Sequence, residues 1–171
     1  MRFLIGCACF CSAAQIFALD PRKAVTQYVS SIWTSNEGLP QDSVNAITQT
    51  ADGYLWFATQ EGLARFDGIK FTVFDSSNTE KFGGFVFDIF GAKDGTLWVG
   101  TGGGLFKYKD GKFTRHSSAD GLPDVSMKHI TEDQAGNLWI GTANNDRVTG
   151  GHGLTFFKDG RGTIFKIKDG L

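Results

Sequence analysis

The side chains suited to chemistry are few and scattered. Three histidines, His116, His129 and His152, are spaced 13 and 23 residues apart. None belongs to a His-x-His or His-Glu-x-x-His pair, the spacing that puts two imidazoles on one metal ion. Arg65, Arg115, Arg147 and Arg161 show no spacing that would assemble a triad. Glu132-Asp133 and Asp120 with Asp124 are acidic pairs beside turn sequences, where solvated surface is expected. Gly102-Gly103-Gly104 is not followed by Lys-Ser or Lys-Thr. It joins strands rather than opening a helix, so it is not a phosphate loop. Cys7, Cys9 and Cys11 are the only cysteines, and all lie within the first 18 residues. The sequence therefore predicts no catalytic residue, no metal site and no cofactor.

Binding chemistry is better represented. Ala143 to His152 is a polar, Gly-rich stretch. Within it, Asn144, Asn145 and Asp146 carry groups that hydrogen-bond sugar hydroxyls, and His152 adds a titratable ring. Trp33, near the N-terminus, offers a flat face that can stack on a sugar. These five are the candidate ligand-binding residues.

Something must position them. The chain has 171 residues, of which 41% are hydrophobic and 20% charged, so a packed core is possible and wholesale disorder is not expected. The net charge of -1 argues against binding nucleic acid by bulk electrostatic attraction. Gly is abundant at 23 and Pro scarce at 3, alongside 16 Phe and 4 Trp. That mixture suits short strands joined by tight turns.

Residues 1–18 read as a secretory signal peptide. Met1-Arg2 is a positive start, Phe3 to Phe17 is uncharged and mostly apolar, and cleavage is expected after Ala18. The apolar stretch falls short of the roughly 20 residues of a spanning helix. The mature chain is then cysteine-free, without disulfides or a thiolate nucleophile.

The remaining sequence repeats itself. Asp52-Gly53-Tyr54-Leu55-Trp56-Phe57-Ala58-Thr59 recurs as Asp94-Gly95-Thr96-Leu97-Trp98-Val99-Gly100-Thr101, and again as Ala135-Gly136-Asn137-Leu138-Trp139-Ile140-Gly141-Thr142. Val44, Val86 and Met127 keep step, as do Ile47, Ile89 and Ile130. The Trp spacings of 42 and 41 residues match one four-stranded propeller blade. The expected fold is all-β: a partial β-propeller of about three four-stranded antiparallel blades plus an N-terminal strand. Residues 19–43 would supply that strand and an incoming loop, with blades at 44–84, 85–126 and 127–171. Trp56, Trp98 and Trp139 are expected to anchor blade-to-blade packing. The small residues Ala58, Gly100 and Gly141 would allow close backbone approach near the axis.

Three features break the repeat. Gly38-Leu39-Pro40 and Gly121-Leu122-Pro123 precede the first and third units, but the second has Asn78 to Gly84 instead. The third unit carries an insertion at 143–152, where binding function tends to sit. Finally, Lys168-Asp169-Gly170-Leu171 matches the phase of Asp120-Gly121-Leu122, as if a fourth unit were beginning. An open three-blade array would leave two faces uncovered and favour self-association.

These residues resemble the two-component regulator propeller repeat: a Gly-Leu-Pro loop, a Val-x-x-Ile strand, Asp-Gly-x-Leu-Trp-x-Gly-Thr, Gly-Leu and an aromatic-x-Gly. The resemblance runs from Trp33 to Leu171. It implies an exported propeller that senses an extracellular or periplasmic ligand, glycan-derived in some members, and signals through a membrane helix to a histidine kinase or diguanylate cyclase. The chain then corresponds to the input end of such a receptor, periplasmic or extracellular, membrane-tethered in the full-length receptor and able to self-associate or form a homodimer through it. The competing class is an exported propeller enzyme, either streptogramin-lyase-like or glycosidase-like.

Overall fold

The computed structural model describes residues 24, 30–79, 82, 84–143 and 153–171. Residues 1–18, expected to be a signal peptide, and the candidate residues Asn144, Asn145, Asp146 and His152 lie outside the described residues; the described part of the expected N-terminal strand, residues 30–33, is not in a strand, and the first strand begins at Val44. Residues 1–32 and 33–171 form two separate units, and the described strands belong to the second.

Each run of β-branched and aromatic residues becomes a strand, and each Gly-containing break becomes a turn. Blade 1 comprises β1 (Val44–Gln49), β2 (Leu55–Thr59), β3 (Gly62–Phe66) and β4 (Phe71–Phe74). Blade 2 comprises β5 (Val86–Gly91), β6 (Leu97–Thr101), β7 (Gly104–Lys109) and β8 (Lys112–His116). Blade 3 comprises β9 (Ser126–Glu132), β10 (Leu138–Ala143), β11 (Gly153–Lys158) and β12 (Arg161–Phe165). Each set forms one four-stranded antiparallel sheet in sequential order. This is the all-β propeller architecture expected from the 41–42 residue period.

The blades are joined through their first strands. Asn45 Nδ2 donates to the Val86 carbonyl of blade 2 at 2.7 Å, and Asp88 Oδ2 accepts from Ile130 N of blade 3 at 2.8 Å. The inner strands β1, β5 and β9 therefore lie side by side, and β4, β8 and β12 are the outer strands. Two apolar cores fill the seams. One contains Trp56, Ala58 and Leu63 with Val86, Ile89, Leu97 and Val99. The other contains Leu105 and Leu122 with Met127, Ile130, Leu138 and Ile140.

Equivalent positions show what a neighbouring blade contributes. Val86 and Met127 are fully buried and Ile89 and Ile130 nearly so, because the preceding blade covers them. Their blade 1 equivalents, Val44 and Ile47, are 37% and 61% exposed. Leu55 and Phe57 are half-buried where Leu97, Val99, Leu138 and Ile140 are buried. The difference lies in the neighbour, not in residue type.

At Gly100 the seam leaves no room for a side chain. A Cβ there would sit 2.6 Å from the Met127 carbonyl of the next blade. Ala58, at the same position of blade 1, is fully buried.

Two local features were not anticipated. Three-residue 3-10 turns occupy Ser35–Glu37, Ser118–Asp120 and Ile167–Asp169, each closed by a left-handed glycine at Gly38, Gly121 or Gly170. The first is fixed by Glu37, whose Oε2 accepts from the Thr34 backbone N–H at 2.7 Å and hydroxyl at 2.6 Å. A capping box of this kind satisfies donors that the turn leaves free. In addition, β1, β5 and β9 each carry a bulge near their start, at Asn45, Phe87 and Lys128.

Candidate functional site

Loops meet at the two ends of the blades. At one end lie the Asp-Gly turns between the first and second strands and between the third and fourth. At the other lie the second-to-third strand turns and the connectors between blades. The blade 3 insertion belongs to the connector end: β10 reaches it at Ala143, paired with Ser126, and β11 leaves it at Gly153. The Thr142 hydroxyl donates to the Gly153 carbonyl at 3.0 Å and closes its base. Lys128, one of the three bulge residues, is two positions from Ser126.

The bulges aim side chains that regular alternation would bury or pair. Lys128 Nζ sits 3.3 Å from the centre of the Phe87 ring, and Phe87 stacks on Phe85 at 4.2 Å. Burial holds the Lys128 ammonium below its ordinary pKa. Asp88, close by, already accepts from Ile89 N and Ile130 N. The sequence signal was present: repeated Val44, Val86 and Met127 flank residues that differ in every unit.

Trp33 lies on blade 1, with its ring 5.4 Å from Phe66 and 48% of the residue exposed. It occupies the position that Phe74, His116 and Phe165 hold at the ends of outer strands. Phe74 meets Tyr108 at 6.0 Å and His116 meets Phe157 at 5.0 Å, the same contact one and two blades on. The insertion rises from blade 3. The structure thus does not bring Trp33 and the base of the insertion together, because blade 2 stands between them.

The three repeat tryptophans differ in their surroundings. Trp56 is buried, stacks on Phe74 and meets Tyr108 of blade 2 edge-on at 5.0 Å. Trp98 meets Phe157 of blade 3 at 5.8 Å. Trp139 touches Phe156 and Phe165 of its own blade. The indole N–H of Trp56 donates to Thr50 Oγ1 at 3.0 Å, and that of Trp139 to Asp133 Oδ2 at 3.3 Å.

Beside these rings, at the Asp-Gly end, each seam opens into a groove. The blade 1–2 groove holds about 370 Å³ and includes Asp52, Trp56, Arg65, Tyr108 and Lys109. The blade 2–3 groove holds about 430 Å³ and includes Trp98, Lys107, His116, Asn137, Phe157 and Asp159. Asp94 borders both, and its carboxyl is lowered to about 2, chiefly by the hydrogen bond from Lys109 at 2.8 Å. Among the described residues, no group of three or more His, Cys, Asp or Glu is arranged to hold a metal ion. No described helix is long and apolar enough to cross a membrane.

His116 is half-buried between Trp98 and Phe157, and burial depresses its pKa below the ordinary 6.5 despite Asp120, whose Oδ2 lies 3.5 Å from Nδ1. The folded chain therefore resists protonating this ring more than the unfolded chain does. Its contribution to stability is complete above pH 6.5 and declines as pH falls toward the lowered folded value. Urea denaturation at pH 7.5 and pH 5 will show a smaller acid loss for His116→Phe than for the parent. Equal losses would contradict this account.

The fold and the loop geometry define a β-propeller built from repeated blades. The profile described as the two component regulator propeller matches residues 38–61, 81–103 and 121–144. Each of these three stretches matches the repeat that this profile describes. Each matched stretch runs from a connector through the two inner strands of a blade. No curated protein matches the sequence.

Among solved structures, the extracellular domain of a putative hybrid two component system from B. thetaiotaomicron is 21% identical, with a TM-score of 0.71. The match covers 84% of this chain and 19% of that one. A second such domain from the same organism is 23% identical with a TM-score of 0.57, over 73% of this chain and 17% of that one. A virginiamycin B lyase from Staphylococcus aureus shares the fold at a TM-score of 0.54 and 18% identity, over 72% of this chain and 41% of that one. The chain thus spans about a fifth of the length of the receptor domains it resembles.

Proposed function

We propose that this chain is the exported N-terminal part of a ligand-sensing propeller, and that the signalling output is carried by other sequence of the same receptor. The observation that carries this reading is the matched family repeat in three successive blades. The likeness to extracellular domains of two component systems supports it. Residues 1–18 would direct export and be removed. The ligand is extracellular or periplasmic and glycan-derived. It binds at the connector end, where the insertion departs from the repeat. Binding there biases the arrangement of blades or of receptor copies and so the attached output.

The lyase reading has the shared fold in its favour. It calls for a histidine on a repeat-aligned inner loop. His116 instead ends an outer strand, and His129 lies within an inner strand.

Alanine at both Asn145 and His152 in the full-length receptor tests the sensor reading. A reporter for the output should lose most of its response to extracellular glycan fractions, with the circular dichroism of the ectodomain unchanged. A full response would remove these residues from the site.

A further inference from the structure

Two departures from the repeat converge on the blade 2–3 groove. Blade 1 offers Thr50 to its tryptophan N–H and blade 3 offers Asp133, but blade 2 has Ala92 at this position, which has no side-chain acceptor. Among the described residues, the Trp98 indole N–H has no hydrogen-bond partner. The aromatic slot filled by Trp33, Phe74 and Phe165 is filled in blade 2 by His116. Both Trp98 and His116 line the 430 Å³ groove. Lys107 lines it too, 5.7 Å from the Trp98 ring, with no carboxylate in salt-bridge range among the described residues. Asp94, which also lines the groove, is paired with Lys109 at 2.8 Å.

We infer that the blade 2–3 groove is a binding site for a small organic carboxylate, which accepts from the Trp98 indole N–H and the Lys107 ammonium and lays its apolar body against Phe157 and His116. The half-buried Trp98 and Lys107 both line this one cavity, neither its indole N–H nor its ammonium has an acceptor among the described residues, and a carboxylate supplies two oxygens. The blade 1–2 groove does not share the property, because the Trp56 N–H is already bonded and Arg65 lies 4.4 Å from the Tyr54 ring. The site is independent of the sensor reading, since it lies at the Asp-Gly end, whereas the described residues flanking the insertion, Ala143 and Gly153, lie at the connector end.

The site is coupled to protons through His116. The charged groups around it are Asp120 on its own connector, Lys107 on β7, Asp94 on the turn before β6, and Lys158 and Asp159 on the β11–β12 turn. A bound carboxylate offsets the Lys107 charge that opposes imidazole protonation. Affinity therefore rises as pH falls from 7.5 to 6.

The test is a titration of the full-length protein, labelled with ¹⁵N-tryptophan, with benzoate, benzyl alcohol and inorganic phosphate. The Trp98 indole signal, assigned with Trp98→Phe, will shift saturably with benzoate while Trp56 and Trp139 stay in place. Lys107→Gln will weaken binding about tenfold, and Lys112→Gln will not. The pH dependence will disappear in His116→Phe. The proposal is overturned if Trp98 does not move, if all tryptophans move together, if Lys107→Gln has no effect, or if benzyl alcohol or phosphate binds as tightly as benzoate.

Discussion

Replacing Trp56 by alanine will cost about 3–5 kcal/mol, the usual penalty for emptying a buried aromatic site. The ring is only 1% exposed and spans the first seam, meeting Phe74 of its own blade and Tyr108 of the next. Its loss opens a void that neither sheet can close without breaking its strand pairing. It also removes the donor that bonds Thr50 Oγ1. Trp139→Ala is the internal control, because that ring is half-buried and rests on Phe156 and Phe165 of one blade. Urea denaturation should place Trp56→Ala far below Trp139→Ala. Equal losses would mean that the tryptophans act within blades rather than between them.

Gly100→Val will be nearly as damaging, at about 3 kcal/mol, the upper end of overpacking penalties. The obstacle is the Met127 carbonyl, 2.6 Å from the added Cβ. Met127 is itself fully buried on β9, so the backbone cannot yield without shifting the inner strand of blade 3. At the equivalent Gly141, an added Cβ would meet only the His129 Cβ, at 3.6 Å. Gly141→Val should therefore be tolerated. Near-UV circular dichroism and denaturation of both variants will separate a seam clash from a simple loss of glycine flexibility.

Much of the architecture was legible in the sequence because the seams impose the same demands on every blade. The inward positions of β1, β5 and β9 must be apolar, the turns must reverse, and Trp56 and Trp98 each meet an aromatic across a seam. Features a single residue wide were harder to read. A bulge changes pairing without changing composition, so Asn45, Phe87 and Lys128 gave only the weak signal of variable residues between conserved-looking anchors. The 3-10 turns are too short to show periodicity. Their only trace was a capping residue three positions before an acid, as in Thr34 and Glu37, followed by Gly38. The second connector lost its Gly-Leu-Pro sequence but kept its packing function: Phe82 is fully buried there, against Phe106 and Phe113. Trp33 read as an exposed stacking face. Its kinship with Phe74, His116 and Phe165 emerges only once the outer strands end where they do.

The connectors have a consequence for how these sheets avoid pairing with strangers. Each incoming connector lies across the outer strand of the blade it enters, always at the same register. Gly38 approaches Phe71, Phe82 packs on Phe113, and Gly121 lies against Gly162. An outer strand would otherwise be a bare edge, open to strand addition by another chain. The clasp covers that edge in all three blades.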